Sequence, residues 1–130
     1  MSSVLDTIKT TWAGKIGLVN LIPDKRVFVG ITNPGTPTPS ICFHGQSIGA
    51  ARRTSSHRYP TVIVEAIAEA EDADFLEDLV EQMRADLEVW QSTRYGALVL
   101  ADLTVRIYRE DEPPKRNWIA EVQMQYQTYM

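Results

Sequence analysis

Apolar and polar residues repeat along this chain with two different periods. From Asp74 to Trp90, DFLEDLVEQMRADLEVW, the period is helical. Phe75, Leu76, Leu79, Val80, Met83, Leu87 and Trp90 recur at three- and four-residue steps and share one face. The opposite face carries Glu77, Asp78, Glu81, Asp86 and Glu88, with Arg84 as its base. Such a stripe needs a sheet or another helix to cover it. Asp74 and Glu77 have the three-residue spacing of a capping box and set the expected start.

Elsewhere the period is two, as in a strand with one covered face. In Thr61 to Glu69, Val62, Val64, Ala66 and Ala68 point one way. A helix from Val64 to Ala73 competes with this strand, because alanine and glutamate are good helix formers. In Val99 to Tyr108, Val99, Ala101, Leu103, Val105 and Ile107 form one face and Asp102, Thr104, Arg106 and Tyr108 the other. In Trp118 to Tyr129, Trp118, Ala120, Val122, Met124 and Tyr126 are expected to face inward, and Glu121, Gln123, Gln125 and Gln127 outward. The charged double-proline turn from Arg109 to Asn117 joins the last two runs into an antiparallel hairpin.

The N-terminal half is less regular. Ser2 or Ser3 caps a short helix to Trp12 that lines up Val4, Leu5, Ile8 and Trp12, with Gly14 and Gly17 ending or loosening it. Ile16 to Ile22 is a helical turn or an irregular packed segment. Arg26 to Ile31 and Ile41 to Gly45 read as short strands on either side of a loop bearing Pro34, Pro37 and Pro39. Residues 45–60, GQSIGAARRTSSHRYP, read as a long flexible exposed loop. The expected architecture is a single α+β domain over residues 1–130. It is a two-layer sandwich in which a mainly antiparallel four-stranded sheet carries two helices on one face.

Composition narrows the function. The chain has 130 residues, 44% of them hydrophobic and 23% charged, the balance of one ordinary globular domain. A net charge of −4 argues against a general nucleic-acid binder. No apolar run has the length of a membrane-spanning helix, and the N-terminal stretch with Asp6 lacks the apolar core of a secretory signal. Cys42 is the one cysteine, which excludes an internal disulfide and points to a reducing, cytoplasmic setting.

Candidate chemistry is sparse. The two histidines, His44 and His57, occur in no HxH or HExxH spacing, so no metal site is expected. Walker, GxGxxG and GxSxG motifs are absent from the sequence. His57 beside Ser55 and Ser56 allows a small hydrolase, but a catalytic triad is a spatial arrangement and adjacency does not make one. Against a net acidic chain, Arg52, Arg53, His57 and Arg58 stand out in a segment without acids. Within a single chain Arg52, Arg53 and Arg58 are best read as part of a solvated loop; they can also contact phosphates, or pair with the acidic helix face of a neighbouring copy in head-to-tail contacts. An adaptor that binds a partner through the outer sheet face is a further reading.

The order of these segments resembles the tail-terminator, or tail-completion, proteins of long-tailed bacteriophages and related tail-like systems. The resemblance rests on a short N-terminal helix, a strand before a long Pro/Gly-rich loop, the strand TVIVEAIAE, a helix and a closing hairpin. That hairpin carries Thr104-Val105-Arg106-Ile107-Tyr108-Arg109 and then Trp118 to Tyr129. The resemblance implies a structural virion protein and not an enzyme, without cofactor or metal. Its members form a hexameric ring on the head-proximal end of the tail tube, which ends tube polymerisation and offers the head connector a surface. The implied partners are further copies of the chain, the tail tube protein and the connector or neck protein, and some members stay monomeric until they meet the tube. DNA only passes through the ring lumen, and no membrane is involved. The implied location is the virion, with the host cytoplasm during assembly. Arg52, Arg53, Arg58, Glu77, Asp78 and Glu81 are the expected interface residues. A head-closure or neck protein is the neighbouring alternative.

Overall fold

The computed structural model describes residues 4–30, 37–48, 52–54, 57–59, 61–92, 95–110 and 117–129, with the backbone alone at 52–54, 57–59 and 129. Among these residues three α-helices, α1 (Val4–Ala13), α2 (Ile16–Leu21) and α3 (Ala73–Asp86), accompany eight strands. These are β1 (Val27–Val29), β2 (Ser40–Ile48), β3 (Arg52–Thr54), β4 (His57–Tyr59), β5 (Thr61–Ala70), β6 (Val89–Ser92), β7 (Gly96–Arg109) and β8 (Trp118–Tyr129). The main sheet has six strands in the order β1-β2-β5-β8-β7-β6, and β3-β4 form a separate hairpin. β1 runs parallel to β2, and every other neighbouring pair is antiparallel.

The four-stranded, two-helix expectation is therefore corrected to a six-stranded mixed sheet with three helices, curled into a half-barrel. The curl follows from the contacts of α1, which touches β1, β2 and also β6. At about 4.8 Å per strand spacing, a flat sheet of this width separates its edge strands by roughly 24 Å. A ten-residue helix about 15 Å long and about 10 Å across that touches both edges fits a sheet that bends around it.

The inner face is dry because its alternation is nearly unbroken. On β5, Val62, Val64, Ala66, Ala68 and Ala70 are buried, and on β8, Ala120, Val122, Met124, Tyr126 and Thr128. β5 is a strand over the whole stretch that had a competing helical reading. Val4, Leu5, Ile8 and Trp12 of α1 and Leu76, Leu79, Val80 and Met83 of α3 close over it. Trp12 stacks edge-on to Phe43, with centroids 6.0 Å apart, and donates its indole N–H to the Ile22 carbonyl at 2.9 Å. That bond ties α1 to the end of α2. Gly17 lets α2 settle onto α3, where a Cβ would run into the Gln82 amide.

Four local expectations change. α3 begins one residue earlier than expected, capped by Asp72, whose Oδ1 accepts the Asp74 N–H at 2.9 Å. Its C-terminal end comes at Asp86, and Trp90 lies on β6 opposite Leu98. Trp90 is still buried, so the helical spacing that placed it in the stripe was met by a strand reaching the same core. Tyr126 Oη donates to the Leu87 carbonyl at 2.8 Å, and so satisfies a backbone acceptor at the C-terminal end of α3.

On β7 the expected single alternating face breaks at a bulge between Leu100 and Asp102. Leu98 and Leu100 face inward before it, opposite Thr128 and Tyr126, and Leu103 faces inward after it, opposite Met124. One extra residue, Ala101, inverts the phase, so Ala101 is exposed and Val99 turns to the outer face. The long loop assigned to residues 45–60 is also corrected in its described parts. Gly45–Ile48 continue β2 after a bulge at His44, and 52–54 pair with 57–59. His44 thus sits inside β2, at the bulge.

Candidate functional site

Three features lie outside the core, and each is positioned by strand register or helix phase. The first is the outer face of the sheet. Register places Glu121 of β8 between Ile67 of β5 and Arg106 of β7. Tyr108, two residues beyond Arg106, donates its hydroxyl to Glu121 Oε1 at 2.7 Å, and the Arg106 guanidinium lies 4.7 Å from the Tyr108 ring centroid. The hydrogen bond to the Glu121 carboxylate pushes the Tyr108 phenol above its ordinary range. An open trough of about 510 Å³ runs across this face, bounded by His44, Glu65, Thr104, Arg106, Glu121 and Gln123. The trough brings His44 near carboxylates, yet no hydrogen bond joins it to a hydroxyl or an acid among the described residues. This mixture of acid, amide, hydroxyl and guanidinium suits polar contacts with a macromolecule. It aims no nucleophile at a base.

The second feature is the solvent side of α3. Glu77, Asp78 and Glu81 are all exposed there, as the helical phase requires once Leu76, Leu79, Val80 and Met83 are turned inward. Glu81 also borders a shallow cleft of about 430 Å³ with Arg84, Glu88 and Asp102. The β7 bulge sets the wall of that cleft, which the sequence did not announce.

The third feature is the β3-β4 hairpin. Arg53 is the register partner of Arg58, Arg52 of Tyr59, and Thr54 of His57. The hairpin lies beside β8. The side chains of Arg52, Arg53, His57 and Arg58 fall outside the described structure, as do Ser55 and Ser56 altogether. The hydrolase reading on His57 rests on those residues. Backbone register nevertheless places Arg52, Arg53 and Arg58 on one short ribbon.

Sequence reasoning thus found the two charged elements and missed the Arg106-Tyr108-Glu121 group. The hairpin pairing held the signal: once Trp118 is set against Arg109, Glu121 falls opposite Arg106. No group of three metal-ligating side chains occurs among the described residues.

Comparison with known proteins follows from this geometry. No family model matches the sequence, and no curated protein matches it. Among solved structures, the fold is similar to a chain in the virion of a native gene transfer agent (GTA) particle, with a TM-score of 0.60 at 10% sequence identity. The likeness covers 96% of this chain and 95% of that one, so it extends to the whole curled sheet and its helices.

Proposed function

We propose that this protein is a structural component of a phage-like virion, and more narrowly the ring that caps the head-proximal end of a tail tube. The observation that carries the reading is the near end-to-end likeness in fold to a chain of a gene transfer agent virion. The surfaces favour the same class. Assembly proteins work through complementary surfaces and need no convergent pocket of reactive groups. Here the outer features are an acidic helix face, a basic hairpin and an open polar trough.

In this reading copies associate head to tail. Arg52, Arg53 and Arg58 of one copy approach Glu77, Asp78 and Glu81 of the next, or line the lumen through which DNA passes. The tail tube protein and the head connector occupy the two ends of the ring, and the protein acts within the virion.

The test is electron microscopy of particles produced without this protein. Overlong or headless tails are the expected outcome. Filled heads that leak, with tails of normal length, would instead assign it to head closure. Charge reversal by Arg52→Glu with Arg53→Glu should reduce the yield of joined particles at least tenfold. Unchanged oligomer size and unchanged joining would remove these arginines from the interface.

A further inference from the structure

Among the described residues, each edge of the curled sheet carries a four-residue uncharged stretch with a single ladder partner, although the Gln46 side chain accepts the Leu5 N–H of α1 at 3.3 Å. β1 pairs with β2 only from Ile41 to Phe43, and Gly30, at φ 95° with its N–H on the Phe43 carbonyl, closes it. Among the described residues, Gly45–Ile48 of β2 then have β5 as their one ladder partner. At the opposite edge, Val89–Ser92 of β6 have β7 as their one ladder partner among the described residues. Edge strands of folded proteins are guarded by shortness, bulges, lysine, proline or an inward charge, and here the guards are the bulge before Gly45 and the four-residue length of β6 rather than any charge or proline. GQSI and VWQS contain no charged residue and no proline, although 23% of the chain is charged. Each stretch instead exposes a β-branched aliphatic residue: Ile48 is 42% exposed and Val89 is 51% exposed.

We infer that these edges are the two halves of one contact between copies of this chain, β6 of one copy adding to β2 of the next. The inference rests on the ring reading above and specifies how the ring closes. Strand sense supports it. Counting antiparallel steps from β2 through β5, β8 and β7 returns β6 to the direction of β2. A ring whose axis runs along the strands keeps that sense from copy to copy, so the added strand lies parallel to β2 and continues the line of β1. Phase supports it too. Gly45, Ser47, Val89 and Gln91 belong to the outer face, and Gln46, Ile48, Trp90 and Ser92 to the inner face. Aligned in order, Val89 falls beside Gly45, which has no side chain to oppose it, and every pair keeps to its own face. The contact uses different patches on its two sides, and such contacts generate rings when the rotation closes.

The test uses lysine on either edge. Val89→Lys spoils the β6 side and Ile48→Lys the β2 side, both at exposed positions. Light scattering at high protein concentration should give a multi-subunit mass for the natural chain. Each variant alone should fall to monomer mass. An equimolar mixture of the two should stop at the mass of a dimer, since one good edge of each kind remains. As a check independent of the lysines' effect on folding, a chain with Ser47→Cys, Gln91→Cys and Cys42→Ala should oxidise to a ladder of disulfide-linked multimers. Variants that still form full rings, together with no ladder, would overturn edge pairing and leave the ring reading standing. A natural chain that stays monomeric and gives no ladder would overturn edge pairing, while the ring reading stands or falls on the electron microscopy above.

Discussion

The two faces of the central sheet are built from the same strands and obey opposite rules. Along β8, Ala120, Val122, Met124, Tyr126 and Thr128 are buried, while Glu121 and Gln123 between them are exposed. The inner residues form one hydrophobic cluster with α1 and α3. On the outer face Glu121 accepts the Tyr108 hydroxyl from β7, and the Arg106 guanidinium lies over the Tyr108 ring, in the open. The inner face holds the fold, and each of its positions is answerable to packing. The outer face is free of that demand, so its chemistry can serve a partner. The comparison is sharpest where a single change moves a residue from one face to the other.

Deleting Ala101 is the most severe such change. Without the bulge, the register of Leu103 to Arg109 and that of Gly96 to Leu100 cannot both be kept. Keeping the former turns Leu98, which is fully buried, onto the outer face. Turning out one such leucine costs about 2–5 kcal/mol when the emptied site cannot collapse. Against a typical stability of about 5–15 kcal/mol, the expected result is a large drop in urea midpoint or an unfolded chain. A midpoint within error of the natural chain would mean that the bulge does not set the phase.

The same residue explains where sequence reading stopped. Leu98, Val99, Leu100 and Ala101 are apolar in succession, so either phase fits, and the clean alternation from Leu103 onward was extended back through them. Hydrogen bonding across the sheet decides the matter, and periodicity within one strand does not contain it. Trp90 is a second case. It continues the α3 stripe at a three-residue step from Leu87, and no glycine or proline separates helix from strand. The chain leaves the helix because β7 offers a ladder to Val89–Ser92 and Tyr126 caps the Leu87 carbonyl. The cores of α1, β5 and β8 were legible because local period and burial agreed along each. Of the candidate site, the acidic face of α3 was legible for that reason. The hairpin was seen as charge without form, since its register depends on pairing that a run of arginines, serines and glycines does not advertise.

Tyr126→Phe is the next test, with a smaller effect at the centre of the inner face. The phenol is fully buried, edge-on to Trp90 at 5.7 Å, and its hydroxyl is bonded to the Leu87 carbonyl. Removing it leaves a buried acceptor unpaired, at about 1–3 kcal/mol. Burial pushes this phenol well above the usual tyrosine range; the Trp90 indole pulls the other way, though its N–H completes no hydrogen bond. The sign of the pH dependence follows. Above about pH 10 the unfolded chain loses the Tyr126 proton while the folded chain keeps it, so the unfolded state binds fewer protons. The contribution is fully present below about pH 10 and falls as pH rises toward the folded value. Tyr126→Phe should lower the urea midpoint at neutral pH and flatten the loss of stability above about pH 10. An unchanged alkaline slope would mean that other groups govern it.

Tyr108→Phe asks the same question of the outer face and should give the smallest effect. Its hydroxyl also makes a short hydrogen bond, 2.7 Å to Glu121, but the pair is exposed, so water replaces whichever partner is lost. Stability should stay within about 0.5 kcal/mol of the natural chain, although the deletion is the same single oxygen as at Tyr126. The bond still has a spectroscopic signature, because the Glu121 carboxylate is the main cause of the raised Tyr108 phenol. In an absorbance titration, Glu121→Gln should bring one tyrosine back toward its ordinary range, and Tyr108→Phe should delete that same transition. If Tyr108→Phe instead cost as much stability as Tyr126→Phe, the outer face would be bearing fold, and the division between a face for packing and a face for partners would fail.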